Sequence, residues 1–561
     1  MSTVSAAHVV NLDALPLFKP TKVTTQRFWD HRPLDGRTDA QYDALKKAVL
    51  KPQAAGKLGA EPSRGEQLVK TKPSVSGSAG PLVVGPTTYF TAQSENGWDP
   101  PDMALAVGTN FVVQMVNNSI AVYDKHGNMQ AGYPKSSDTF FDLNSGTFTS
   151  DPRLVYDWTY HRYIVVMLYE SSPTSGTNTG GLLIAVSQGQ DPRGNWYVYN
   201  GPAITVGSAG DCPDYPTLGH DSNNWGPGAT KGGFYIGINL FSGSGNCSGS
   251  SFSGNFVFMF PKDAFYSGSG FSGWQFDGLN VGGTLVDTLE AANMTEWSDK
   301  PSTILLINSF NFNFNSGCSS ANCNGLEVWS ISGPSGSPNN PFDFLQSGGS
   351  GPTLTGVEVA TAHNYSFPPK ASEPGCTVAE GPCLDTNDVR ISGQVKYHAG
   401  ELFGSFNTGV SGTSVTGPIW FEVHPIVSTS SVITGAEERQ EDCFLCGGWA
   451  NNGSAWFATL QPDGENNLIM VFDHSTDADY PQTAYTSRRS TFGDSLMNGA
   501  GFDIASGSSQ VTGRWGDYTA TAIDLTIANA PYMWFAGQYA DASNGWGTVI
   551  GAAQYAVPSD Q

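Results

Sequence analysis

Charge is scarce in this sequence. Of its 561 residues only 14% are Asp, Glu, Lys or Arg, well under the roughly 25% of an average soluble domain. Basic residues are scarcer still. The chain has 27 Lys and Arg against 50 Asp and Glu, a net charge of −23. So few cations leave no patch for nucleic acid or an anionic membrane, since both bind through Lys and Arg. The balance suits cations and neutral glycans, and it keeps a chain soluble. Long apolar runs are missing too. The longest, around Ile164–Tyr169, falls far short of the ~20 residues a membrane-spanning helix needs. Met1–Val10 has no basic stretch followed by an apolar one, so no signal peptide is visible. No HExxH, GxSxG or P-loop pattern occurs, and nothing points to an organic cofactor. His363, His398 and His424 are scattered; a Ser-His-Asp triad needs only to meet in space, and nothing in the sequence selects one.

Cysteine is present eight times: Cys212, Cys247, Cys318, Cys323, Cys376, Cys383, Cys443 and Cys446. Three pairs are close in sequence and read as short loop staples: Cys318/Cys323, Cys376/Cys383 and Cys443/Cys446. Cys212/Cys247 would close a longer loop. Cys443-Phe444-Leu445-Cys446 has the spacing of a redox or zinc motif. A redox pair should open a helix in a βαβ unit, and that context is missing. A structural zinc site needs a second pair, and none exists. Disulfides in an oxidising compartment fit better, which places the protein outside the cell or in a periplasm.

Residues 1–85 differ from the rest. They are Lys-rich, with a helical spacing of Tyr42, Leu45, Val49 and Leu50 and a Pro/Gly/Ser-rich passage from Pro52 to Pro86. They read as an N-terminal extension or pro-segment, partly disordered, with a packed arm as the alternative. Residues 86–561 read as the main domain. Short runs such as Phe111–Val116, Tyr163–Leu168, Phe234–Ile238, Leu468–Phe472 and Met533–Phe535 are strand-length, β-branched or aromatic, and bounded by turn residues. No long helical period appears. The class is all-β.

Two patterns recur. Asp or Asn followed by Gly or Asn marks hairpin turns near Asp124–Asn128, Asp191–Trp196, Asp463–Asn467 and Asn544–Trp546. An acidic residue also opens successive units: Asp102, Asp151, Asp214, Asp388 and Asp517, with weaker units near Glu290–Glu296 and Trp449. Seven units make a seven-bladed β-propeller. Each blade is a four-stranded sheet of ~40–50 residues, and the wider intervals are filled by insertions at Ser242–Gly254, Asn311–Cys323 and Ser332–Pro382. A pair of β-sandwiches is the rival, and it would not need an acid at each repeat.

The motifs themselves carry a resemblance. They are Pro100-Pro101-Asp102, Asp151-Pro152-Arg153 running on to Tyr156-Asp157, Asp214-Tyr215-Pro216-Thr217-Leu218-Gly219, Leu384-Asp385-Thr386-Asn387-Asp388-Val389-Arg390 and Arg514-Trp515-Gly516-Asp517-Tyr518. Together they resemble a family of large secreted bacterial propeller-like proteins over roughly residues 86–556. The resemblance implies export and a propeller-like fold, and no particular activity. A looser similarity is to sialidase-type propellers. Ser187, Asp191, Gly194 and Trp196 have the residue types of their hairpin box at a different spacing, and the Phe/Tyr-Arg-Ile-Pro signature is absent. That similarity implies that Arg153, Arg390 and Arg514 form a carboxylate-holding set.

Three roles stand open for Asp102, Asp151, Asp214, Asp388 and Asp517. They can hold a hard cation such as Ca²⁺, which takes several oxygen ligands. They can serve as acid and base in a glycan-active hydrolase or lyase, with Tyr215 as a further catalytic candidate. They can lock blade junctions by pairing with the neighbouring arginines and with backbone N–H groups. Trp98 and Trp515, beside these positions, can stack on a sugar or pack in the core. The expectation is an extracellular propeller that binds a polysaccharide or a surface protein at its central face, with Ca²⁺ support. The acidic stretch Asp473–Asp479 reads as a solvated loop, or as a peripheral Ca²⁺ loop. The sequence names no assembly state.

Overall fold

The computed structural model describes residues 2–4, 7–17 and 84–555, apart from 144–146, 172–176, 243–250, 282–283, 297, 311–322, 348–350, 447–449, 492–495, 498–500, 512 and 528–530. The helical spacing at Tyr42–Leu50, Trp449, Cys247 and Cys318 lie outside the described residues, while the unit that follows Trp449 is described. Cys376–Cys383 and Cys443–Cys446 are disulfides, as their spacing predicts. Cys212 and Cys323 are disulfide-bonded too.

The fold is all-β. Its strands form successive antiparallel sheets. Ala104–Val107, Phe111–Val116, Ser119–Asp124 and Lys135–Ser136 pair in that order. Phe148–Asp157, Arg162–Glu170, Gly180–Ser187 and Asn195–Thr205 follow. Next, Gly233–Ser242, Ser251–Pro261 and Phe271–Phe276 pair in series, with Cys212–Asp214 and Gly219–His220 along the first of them. Glu290–Ala291, Ile304–Ser309, Cys323–Ser332 and Thr353–Tyr365 repeat the plan. So do Lys396–His398, Glu401–Gly409, Thr416–Val427 and Ile433–Cys443. Ser454–Pro462, Leu468–Thr476, Asp479–Arg488 and Phe502–Ala505 repeat it again. The last sheet takes Ala520–Asp524, Tyr532–Ala540 and Trp546–Ala553 from one end of the chain and Pro86–Ser94 from near the other.

Two sequence readings change here. The Ser332–Pro382 insertion contains a full outer strand, Thr353–Tyr365. Its Gly and Thr content masks it, because an outer strand is half exposed and carries a weak apolar signal. The acidic stretch after Phe472 is strand as far as Thr476, with Asp473 fully buried. The four hairpin turns form as their chemistry predicts. Asp124, Asp191, Asp463 and Asp541 each accept the backbone N–H two residues on.

Alternate residues of one strand serve different cores, as a period of two requires. Val113 and Met115 pack toward the following sheet, while Val112 and Val116 pack toward the closing one. Tyr163, Val165 and Met167 split from Ile164, Val166 and Leu168 in the same way. The apolar clusters lie between successive sheets, and the last joins Trp534, Trp546 and Ile550 to Leu105 and Val112. The stack of sheets therefore closes on itself. First strands from around this ring line one cavity, to which Leu105, Val155, His220, Lys396, Gln461 and Ile523 contribute. Sheets radiating from a shared axis make a propeller-type fold. Residues 2–4 and 8–11 add strands to the outer edges of two neighbouring sheets. In its described parts the N-terminus is thus a packed arm.

Candidate site at the strand entrances

Asp102 and Asp517 stand just before the first strand of their sheets, and Asp151 lies early in one, at a register shift between Ser150 and Arg153. The backbone there shares one device, a residue in the left-handed region. Asp102 has φ 40°, Asp151 and Tyr215 54°, Thr288 42°, Asn387 60° and Phe457 53°. Such values are uncommon outside glycine and are true outliers for Tyr, Phe and Thr. Each costs on the order of 1 kcal/mol or more, so the surroundings must hold it in place.

Three of the predicted acids meet. Asp102, Asp151 and Asp517 are all buried, and one oxygen of each lies within 4.8 Å of the others. Asp102 Oδ1 accepts the Asp517 N–H at 2.8 Å, and its Oδ2 accepts from Asn117 Nδ2 at 2.8 Å. Asn117 Oδ1 in turn accepts the Asp151 N–H at 2.8 Å. Asp517 accepts from Asn387 Nδ2 at 3.1 Å and pairs with Arg514 at 2.7 Å. Burial, with Asp517 and Asp151 adding to it, holds Asp102 well above the usual carboxylate range. Burial and then the neighbouring Asp214 and Asp517 push Asp151 up to about 7.

Asp388 and Asp214 stand apart from this group. Arg390 grips Asp388 side-on, Nε to Oδ1 and Nη2 to Oδ2, each at 2.8 Å. Asp214 sits on the edge strand opposite Asn239 and reaches Asp151 and Arg390 through its charge. The three predicted arginines are engaged inside the protein. Arg153 lies 3.7 Å over the Tyr518 ring and 5.0 Å from that of Tyr215, whose ring also meets Arg390 at 4.7 Å. The Nε of Arg153 donates to the Pro216 carbonyl at 2.7 Å. The Tyr215 hydroxyl donates to the Ser392 carbonyl at 3.1 Å. Trp515 is buried, its Nε1 donating to Asp473 at 3.1 Å. Trp98 is half-buried, with its ring 5.4 Å from that of Phe148.

This arrangement can take up a cation or a proton. Three close carboxylates with one arginine among them carry excess negative charge in a buried place. Hard cations bind such oxygen sets, and a shared proton relieves them as well. Cleaving a sugar chain calls for two carboxylates on either side of an open bond. Here Asp102 is 2% exposed and Asp151 and Asp517 5%. Sequence reasoning missed Asn117, Asn387 and Tyr518 as the connecting groups. Asn117 closes the strand Phe111–Val116 at its turn, and nothing local marks it as the bridge between two acids 49 residues apart.

No protein family and no curated protein matches this sequence. Among solved structures, the chain is similar to a protein of unknown function from Dyadobacter fermentans at 8% identity and a TM-score of 0.34, covering 73% of this chain and 96% of that one. A Trypanosoma rangeli sialidase matches at 10% identity and a TM-score of 0.29, covering 76% and 56%. A polysaccharide lyase, an ulvan lyase of PL25, matches at 11% identity and a TM-score of 0.30, covering 85% and 94%.

Proposed function

We propose that this chain is an exported, seven-bladed β-propeller that works as a binding protein. Residues 86–561 form the ring and residues 1–85 an N-terminal extension that begins as a strap across two blades. The ligand is a glycan or a protein held on a face of the ring. Asp102, Asp151 and Asp517 brace the blade entrances and are completed by Ca²⁺. Asp214, Asp388 and the three arginines set the field around them. One observation carries this reading: the entrance carboxylates are closed off and tied to backbone, amide and guanidinium donors from several blades. That is the geometry of a junction, and a substrate cannot enter it.

Two measurements test the proposal together. Metal analysis of the purified protein should find Ca²⁺ near one per chain, and a polysaccharide panel should show retention without new ends. Depolymerisation that Asp151→Asn abolishes at unchanged thermal stability would establish an enzyme and sink the binding reading.

A further inference from the structure

Beyond the entrance acids, the first strands surround a small cavity of about 40 Å³, part of it open to solvent. That is room for a few water-sized groups, so only a small solute or the tip of a larger one can enter. Its walls are not uniformly apolar. Lys396 lines it and is 4% exposed. The Lys396 ammonium donates to Gln394 Oε1 at 3.0 Å and to the Thr521 carbonyl at 3.2 Å. One of its three donors is left over. Among the described residues no carboxylate lies within ion-pair distance of it, because Glu290, the acid whose charge it feels, pairs with Arg153. A buried ammonium without a close counter-ion is costly, and burial lowers the pKa of Lys396 to about 7.

His220 supplies a second donor, and chemistry fixes which nitrogen carries it. His220 Nδ1 lies 3.2 Å from Lys262 Nζ, which also contacts Asp157 at 2.6 Å and Ser222 Oγ at 3.4 Å. An ammonium only donates. Nδ1 must therefore accept, which leaves a neutral ring with its proton on Nε2. His220 lines the cavity as well. Asn293 supplies an acceptor. Its Nδ2 donates to the Leu218 carbonyl at 2.7 Å, whereas its buried Oδ1 has no partner. It stands directly beside Lys396 in a parallel strand pair and lines the same cavity.

We propose that this cavity binds a small hydroxy acid. Lys396 and the Nε2–H of His220 take its carboxylate, and its hydroxyl donates to Asn293 Oδ1. The acid can be free or the uronate unit of a sugar. The sugar arm rests on the binding reading above, while the free-acid arm stands without it.

The test is calorimetric titration of the full-length protein, in EDTA and in Ca²⁺, with glycolate, glucuronate, acetate and ethylene glycol. Glycolate should bind about tenfold more tightly than acetate, the worth of one hydrogen bond to a buried group. Ethylene glycol, lacking the charge, should not bind. Binding of glucuronate alongside glycolate marks a sugar-acid ligand; binding of glycolate alone marks a free acid. Lys396→Met should abolish binding of both acids. Asn293→Ala should keep acetate affinity and erase the preference for glycolate, and it decides the matter if Lys396→Met fails to fold. The proposal is overturned if no carboxylate binds, if Lys396→Met binds glycolate like wild type, or if Asn293→Ala retains the preference.

Discussion

Asp151 shows what burial does to a single residue. Its carboxyl is pushed from 3.8 up to about 7 by burial first, then by Asp214 and Asp517. The folded chain therefore binds this proton more tightly than the unfolded chain does. The resulting stability is fully present below about pH 4 and is lost as pH rises through 7. Each tenfold gain in proton affinity is worth roughly 1.4 kcal/mol, so this one carboxyl contributes on the order of a few kcal/mol. Thermal unfolding in EDTA should show a melting temperature that falls between pH 5 and pH 8, and Ca²⁺ should restore it at pH 8. Asp151 Oδ2 accepts the Tyr215 N–H at 3.3 Å; Asp151→Asn removes the buried charge and keeps that acceptor, so it should flatten the pH dependence and blunt the Ca²⁺ response. A melting temperature that rises with pH in EDTA would contradict this account.

Arg153 gives a second residue-scale expectation. Its planar fork stacks on Tyr518 and donates to the Pro216 carbonyl, and lysine reproduces neither geometry. Arg153→Lys should cost about 2 kcal/mol or more in urea unfolding, since it strands buried partners. Arg439→Lys is the control. That side chain is 45% exposed in its pair with Glu437, and the change should stay under about 0.5 kcal/mol.

At the scale of elements, the N-terminal strap is the most separable piece. His8–Asn11 pairs with Asn195–Val198, Leu12 is fully buried in the core between the first two sheets, and the Leu15 carbonyl accepts from Lys135 at 2.5 Å. An outer strand left bare is a template for foreign pairing. Leu12→Asp should undock the strap. Hydrogen exchange should then rise at Asn195–Val198 while the strands of the closing sheet stay protected. Uniform loss of protection would show that the strap is part of the global folding unit. The strand His8–Asn11 was hard to read in sequence because it is short and half exposed, and its partners lie some 185–190 residues away. The hairpin turns were legible for the opposite reason: Asp463 and Asn467 complete their turn within five residues.

At the scale of the whole molecule, closure is the deciding event. Pro86–Ser94 pairs with Trp546–Ala553, and Thr548 and Gln93 tie that pair to Gln114 of the adjacent sheet. A ring closed in this way has no open inner edge and buries both faces of its strands. Deleting residues 546–561 should leave the Leu105 and Val112 face uncovered. The truncated chain should lose its single cooperative transition by calorimetry and bind a hydrophobic dye. A sharp transition at the wild-type temperature would show that closure is dispensable.

What the sequence determined by itself is local. Period-two apolar runs, Asx-Gly turns and close cysteine pairs each settle within a few residues, so the all-β class and the turns followed from them. The recurrence of an acid at successive units was legible as well, and with it the expectation that these acids share one face. Only the tertiary structure decided what they do there. Ring closure brings Asp102, Asp151 and Asp517 together, while side-on pairing with Arg390 takes Asp388 out of the group. It also sets Lys396, His220 and Asn293 around one cavity, although nothing in their local sequence marks them. The reason is physical. A side chain's charge state and partners depend on burial and on neighbours hundreds of residues away, and those exist only once the last sheet has closed.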